Sequence, residues 1–120
     1  MVNPVQTLTE PMDVVIAAAG SLSAAQNLGG RVVTGIFMPA TWTAASLTFQ
    51  ASADNVTFVD MHVDGAEYVA TADASIYIVL AADNWLGVNF LKVRSGTSAT
   101  PVAQAAERTL TLMTGVPAKH

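Results

Sequence analysis

The feature that most constrains the fold of this chain is a two-residue alternation of apolar and polar side chains. In SLTFQAS (46–52), Leu47, Phe49 and Ala51 alternate with polar residues. Successive side chains of a β-strand point to opposite faces, whereas a helix would need apolar residues three and four positions apart. The spacing therefore indicates an antiparallel strand with one buried face and one solvated face.

Similar strand-like segments recur along the chain and are separated by Gly, Asp, Asn and Pro. They are MDVVIAAAG (12–20), RVVTGIFM (31–38), VTFVDMHV (56–63), EYVAT (67–71), SIYIVLA (75–81), NFLKVRS (89–95) and RTLTLMT (108–114). The residues at 53–55 and 63–65 are typical of turns, and ADNWLG (82–87) is typical of one helical turn or of a bulged loop closed by Gly87. This pattern predicts an all-β fold, an antiparallel β-sandwich that is jelly-roll-like, with about eight strands.

The last two segments define the predicted core most clearly. Leu91 and Val93 on one strand, and Leu110 and Leu112 on the other, have the spacing of inward-facing residues. The small residues between them, SGTSATPVAQAA (95–106), predict a long loop at one end of the sandwich. Small side chains allow close backbone approach, and Pro101 reduces the entropy lost when the loop is ordered. We expect this loop to pack against a partner.

The chain is poor in charge, which constrains its surface. Of its 120 residues, 52% are hydrophobic and 12% are charged, compared with about 25% charged in average soluble domains. Charged side chains are normally on the surface. A surface with so few of them favours an oligomer or a larger assembly, in which much of that surface is covered. The alternative is a lone monomer with a surface rich in Ala, Thr and Ser.

The totals argue against several classes of partner. A net charge of -4 with 5 Lys and Arg residues provides no basic stripe for nucleic acid. The chain has no run of about 18 apolar residues, so the sequence predicts no membrane span. Its N-terminal stretch does not have the pattern of a secretory signal. The absence of cysteine excludes disulfides and thiolate metal sites, and it fits assembly inside a cell.

Candidate chemistry is sparse. Asp60, His62 and Asp64 alternate, so one strand face could present them to a metal ion. A solvated strand that ends in a turn explains the same residues, and we predict no metal, no cofactor and no catalytic residues. Trp42 and Trp85 offer the alternative of a sugar-stacking platform. Packing in a small sandwich is the competing explanation for both rings.

The first twelve residues, MVNPVQTLTEPM, differ from the rest of the chain. Pro4 and Pro11 disfavour a helix, and an extended segment there could add to the sheet edge of a neighbour. We therefore predict an extended N-terminal arm over 1–12 and a single β-sandwich domain over 13–120.

A set of packing and turn residues carries a family resemblance. It runs from Pro39 and Trp42 through LTFQ (47–50) to VRSGT (93–97), and ends with Pro101 and Gln104. In these features the chain resembles small proteins encoded in the structural modules of tailed phages and prophages. One departure is Asn55 at a position where glycine is expected, and Asn is the usual substitute at such a backbone position.

The resemblance implies a non-enzymatic virion protein on the capsid exterior, made in the host cytoplasm. Members of this family look like capsid decoration (cement) proteins or tail- and fibre-associated sandwiches. Our first expectation is a decoration protein that bridges subunits of the major capsid protein, as a homotrimer that matches the local three-fold axes of an icosahedral shell. The alternative is a carbohydrate-binding or tail- and fibre-associated adhesion module. Lys92 and Arg94 are expected to meet carboxylates of the shell. The predicted partner-interface residues are Val2, Pro4, Val5, Leu8, Pro11, Arg94, Thr97, Pro101 and Gln104.

Overall fold

The computed structural model describes residues 8–116, and this part of the chain is built almost entirely from antiparallel strands. The strands are β1 Leu8–Ile16, β2 Gln26–Asn27, β3 Val32–Phe37, β4 Leu47–Ser52, β5 Val59–Asp60, β6 His62–Val63, β7 Ala66–Glu67, β8 Tyr77–Val79, β9 Phe90–Ser95 and β10 Arg108–Val116. One short 3₁₀ helix, Ala82–Trp85, lies in the predicted helical turn.

The strands form two four-stranded sheets that pack face to face. Sheet A has the order β1-β10-β3-β8, sheet B has the order β2-β9-β4-β5, and β6 and β7 form a separate hairpin. When that hairpin is set aside, the eight remaining strands pair first with last, second with seventh, third with sixth and fourth with fifth. This is the pairing of one long hairpin rolled into two sheets, which is the jelly roll. The predicted jelly-roll-like sandwich is confirmed.

The core lies between the two sheets, and it contains the residues that the alternation of apolar and polar side chains predicted to face inward. Leu91, Val93, Leu110 and Leu112 are fully buried, as predicted. An aromatic cluster closes the core beside the 3₁₀ helix. The ring centroids of Phe49 and Trp85 lie 5.0 Å apart in an edge-to-face arrangement, which is a favourable geometry for aromatic pairs.

Strand β1 begins earlier than predicted. Residues 8–12, assigned to the arm from the sequence, pair with residues 112–116 of β10. Pro11 is tolerated because β1 is an edge strand. The Glu10 carbonyl accepts a hydrogen bond from the Thr114 hydroxyl at 2.8 Å and so faces β10, and alternation turns Pro11 toward the open side. The rest of the predicted arm, residues 1–7 with Val2, Pro4 and Val5, lies outside the described residues.

The predicted strand over 67–71 is largely absent. Its place is taken by the β6–β7 hairpin and by a single bridge between Ala70 and Leu47. Asp64 and Gly65 have φ values of 54° and 81°, so both adopt the left-handed conformation that tight two-residue hairpins require. The hairpin follows the edge strand β5 and places Glu67 Oε2 3.8 Å from Nη2 of Arg94 on β9.

Candidate interaction surfaces

The outward side of sheet A forms a continuous surface that the strand register defines. One row of neighbours runs Asp13, Thr111, Phe37 and Tyr77, and the next runs Pro11, Met113, Gly35 and Val79. The outer face of sheet A consists of Pro11, Asp13, Val15, Gly35, Phe37, Tyr77, Val79, Thr109, Thr111 and Met113.

The outer face of sheet A is apolar and open to solvent. Val79 is 78% exposed, Phe37 is 50% exposed, and Val15 and Tyr77 are each 41% exposed. Asp13 contributes the one charge of this set, and its Oδ1 accepts a hydrogen bond from the Thr111 hydroxyl at 2.9 Å. Exposed apolar residues are normal singly, but a contiguous group with one charge is typical of an interaction surface.

The aromatic residues of this face are held in place. The ring centroids of Phe37 and Tyr77 lie 4.4 Å apart at an angle of 43°. A Cβ atom at position 35 would overlap the Tyr77 ring and hydroxyl, so the ring lies on β3 only because residue 35 is glycine. A ring covering a glycine in a neighbouring strand is a recognised way to stabilise a sheet edge. The surface is therefore largely pre-organised.

The outer face of sheet B has the opposite character. Arg94 is buried, with 6% of its surface exposed, and its Nε donates to the Thr48 hydroxyl at 3.2 Å. Both Nη groups donate to Asp60 Oδ1, and Glu67 Oε2 lies 3.8 Å from Nη2. Glu67 Oε2 also accepts the Ser98 backbone N–H at 3.0 Å. This ion-pair cluster connects three strands, β5, β7 and β9, with the long loop that follows β9.

Gln104 anchors the other half of the long loop. It is fully buried, and its Nε2 donates to the Thr43 carbonyl at 3.0 Å and to the Ser95 hydroxyl at 2.6 Å. Its Oε1 accepts the Thr43 N–H at 2.9 Å and Arg108 Nε at 3.1 Å. Two donated and two accepted bonds use the full capacity of an amide side chain. The loop is therefore attached to the chain's own segments.

The predicted interface residues are thus distributed between the interior and the surface. Arg94 and Gln104 are buried and bonded internally, so in this structure their side chains bind the chain itself and are not presented to a partner. Thr97 is half-buried, and its hydroxyl accepts the Thr100 N–H at 3.0 Å. Pro101 is exposed. Leu8 and Pro11 lie in β1, and the remaining predicted residues, at 1–7, lie outside the described part.

The two tryptophans do not form an exposed platform. Trp85 is fully buried, and its Nε1 has no hydrogen-bond partner among residues 8–116. Trp42 is half-buried, and its Nε1 donates to the Ala45 carbonyl at 3.0 Å. The exposed rings are Phe37 and Tyr77, which the sequence reading did not single out. Alternation places them on one side of their strands but does not show whether that side is covered.

The three residues that could have formed a metal site, Asp60, His62 and Asp64, have different environments in the structure. Asp60 binds Arg94, His62 is exposed on β6, and Asp64 forms the hairpin turn. Within the described range, no group of three or more His, Cys, Asp and Glu side chains comes together in a way that could hold a metal. Between residues 8 and 116, no helix has the length and hydropathy needed to cross a membrane.

Comparisons with known proteins do not place the chain in a family. No protein-family model matches it, and no curated protein matches it significantly.

Proposed function

We propose that this chain is a non-enzymatic structural protein of a tailed-phage particle. In this proposal it is a capsid decoration protein that binds the outside of the shell and bridges neighbouring subunits of the major capsid protein. The observation that carries the proposal is the outer face of sheet A, where Phe37, Tyr77 and Val79 are exposed beside a single charge. Jelly rolls are common in viral capsid proteins, which supports the proposal by analogy of fold alone.

The geometry suits a mechanical role. The outer face of sheet A is rigid because its rows are fixed by strand register on β1, β10, β3 and β8. A pre-organised surface loses little entropy when it binds, so more of its apolar burial is available for affinity. Contacts of modest strength that are repeated over many symmetric copies add to a large total on a shell. The decoration would thereby raise the free energy needed to separate capsid subunits.

Co-sedimentation with undecorated capsids of the phage that encodes the chain tests this proposal. The wild-type protein should saturate the shell at a fixed ratio to the major capsid protein. Val15→Lys places a charge on the outer face of sheet A and should weaken binding about tenfold or more. Val56→Lys, at a site 81% exposed in the β4–β5 turn, is the matched control and should bind normally. Folded wild-type protein that stays in the supernatant would refute the decoration role.

A second candidate is carbohydrate binding on the same face, as in an adhesion module of a tail or fibre. The exposed Phe37 and Tyr77 rings favour it, because aromatic rings stack on sugars, and the Asp13–Thr111 pair in the same row has polar atoms for hydroxyl groups. Titration calorimetry with host surface polysaccharide, comparing wild type with Tyr77→Ala, tests this candidate. Saturable heat that disappears in the variant would support it, and the absence of heat for the wild type would contradict it.

A further inference from the structure

The main chain of β8 has an unpaired edge. The Leu80 N–H donates to the Thr34 carbonyl at 3.1 Å, and the Ile76 carbonyl accepts the Met38 N–H at 2.9 Å. Main-chain groups of consecutive strand residues point to alternate sides, so Ile78 also faces β3. Tyr77 and Val79 therefore direct their N–H and C=O groups away from β3. In the described part of the chain no strand pairs with β8 on that side.

The two edges of sheet A differ in how they are protected. The β1 edge contains Glu10, Pro11 and Asp13, and charges and proline discourage the addition of another strand. The stretch 75–81, SIYIVLA, contains β8 and has neither charge nor proline. Its two edge-facing residues, Tyr77 and Val79, are also among the exposed apolar side chains of the outer face. Of the two edges, β8 is the one suited to pairing.

We infer that β8 pairs antiparallel with β8 of a second copy of this chain, about a two-fold axis at Ile78. With this axis, Tyr77 of each copy lies opposite Val79 of the other, and these residues exchange main-chain hydrogen bonds. Axes at neighbouring positions would set one of them opposite a residue outside the strand, such as Ser75, whose φ of 60° interrupts an extended chain. The proposal concerns the free protein and does not rest on capsid binding.

The side chains fit the same arrangement. Val79, 78% exposed in the single chain, would lie directly opposite Tyr77 of the second copy as a cross-strand pair. The Tyr77 ring leans over Gly35 of its own chain, away from the free edge, so it does not obstruct the pairing and loses little freedom. The row that ends at Tyr77 would continue through Val79 and Gly35 of the second copy, giving one eight-stranded sheet. In a two-fold contact each interaction is made twice, and the assembly closes at two copies, unlike the trimer expected from the three-fold axes of an icosahedral shell.

A single cysteine tests the position of the axis. The chain contains no cysteine, so in Ile78→Cys any disulfide must join two copies. Ile78 would face its own counterpart as a non-hydrogen-bonded pair, with Cα atoms about 4.5 Å apart, a separation that a disulfide spans. Under mild oxidation, Ile78→Cys should form a linked dimer much faster than the control Val56→Cys. Equal rates in the two variants would overturn the proposal.

Sedimentation of unmodified protein provides an independent test, because Ile78 packs against the core and its replacement could disturb the fold. The wild type should form dimers in a concentration-dependent manner. Val79→Lys should weaken dimerisation about tenfold or more, whereas Val56→Lys should not. A wild type that stays monomeric up to about 1 mM, a trimer, or unchanged dimerisation of Val79→Lys would each overturn the inference. No capsid is present, so the result is separate from that of the decoration test.

Discussion

The outer face of sheet B is polar and is covered around Arg94 by the chain's own segments, whereas the outer face of sheet A is apolar and open. On sheet B, the segments that carry Asp60, Glu67 and Ser98 meet around Arg94, which is 6% exposed. On sheet A, Phe37 and Val79 are exposed, and no described segment covers them. The two faces belong to one sandwich and have the same strand geometry, so the difference comes from the connections between strands.

The comparison shows which part of the molecule is complete within one chain. A buried guanidinium must have charged or hydrogen-bonding partners, because desolvation of an unpaired charge is costly. Asp60 on β5, Thr48 on β4 and Glu67 on β7 provide those partners for Arg94, so this buried charge is compensated within the chain. Sheet A leaves apolar surface in water, which favours association. Changes on sheet B should therefore affect folding, and changes on sheet A should affect binding.

The largest expected effect is on sheet B. Arg94→Ala should lower the free energy of unfolding by about 3 kcal/mol, because the loss of one partner of a buried pair leaves charges without compensation. Arg31→Ala is the control. Arg31 forms an ion pair with Glu10 at 3.1 Å, in which the Arg31 side chain is partly exposed and that of Glu10 is exposed, so the loss should be below about 1 kcal/mol. Urea denaturation of both variants measures the difference, and equal losses would contradict the distinction between the two pairs.

The next effect concerns the buried amide of the long loop. Gln104→Ala should lower the free energy of unfolding by about 2 kcal/mol, since it leaves the Thr43 N–H and carbonyl without partners. The amide hydrogen of Thr43 should also exchange faster. Thr97→Ala removes one exposed hydrogen bond in the same loop and should cost less than about 1 kcal/mol. If Thr43 exchange were unchanged in Gln104→Ala, the anchoring role would be wrong.

On sheet A the expected effect on folding is close to zero. Val15→Lys and Val79→Lys place charges at exposed positions, where substitutions usually change the free energy of unfolding by less than about 0.5 kcal/mol. Thermal unfolding at low protein concentration, where copies are separate, measures this. A loss above about 1 kcal/mol for either variant would mean that the outer face of sheet A has a structural role in the single chain.

The smallest effect is a pH dependence in the β4–β5 turn. Hydrogen bonds from the backbone N–H groups of Thr57 and Val56, and then from the Ser52 hydroxyl, hold the pKa of Asp54 below its ordinary value of 3.8. A lowered pKa means that the stabilisation is present above the unfolded-state pKa and is lost as the pH falls through the folded-state pKa. NMR titration of the Val56 and Thr57 amides should show the transition below pH 3.8, and Asp54→Asn should remove it. A transition at or above that pH would contradict the assignment.

Much of the fold was predictable from alternation. The strand over 46–52 was expected to bury Leu47 and Phe49, and both are fully buried. The turn at 63–65 was also predicted from local chemistry and is present. A helical turn was one of two alternatives predicted for 82–87, and a 3₁₀ helix is present at 82–85. These features depend on neighbouring residues, whose side-chain directions follow from strand and turn geometry.

The same strand shows where the prediction failed. Thr48 and Ser52 were expected on a solvated face, but they are 0% and 7% exposed. Thr48 is covered because β9 places Arg94 beside it, and Ser52 because its hydroxyl bonds within the turn around Asp54. Residues 48 and 94 are distant in the chain, and alternation in one strand contains no information about such a neighbour.

The sequence by itself determined that this protein is an antiparallel sandwich, where most of its strands lie and which alternating residues, such as Leu47, Phe49 and Leu91, face the core, because strand periodicity is a local property of the chain. Only the tertiary structure decided which outer face is covered and which is open. Coverage depends on where β5, the β6–β7 hairpin and the long loop lie, and therefore on contacts between distant residues, such as Arg94 with Asp60 and Gln104 with Thr43. Those contacts moved Arg94 and Gln104 from the predicted interface to the interior and left Phe37, Tyr77 and Val79 as the exposed surface.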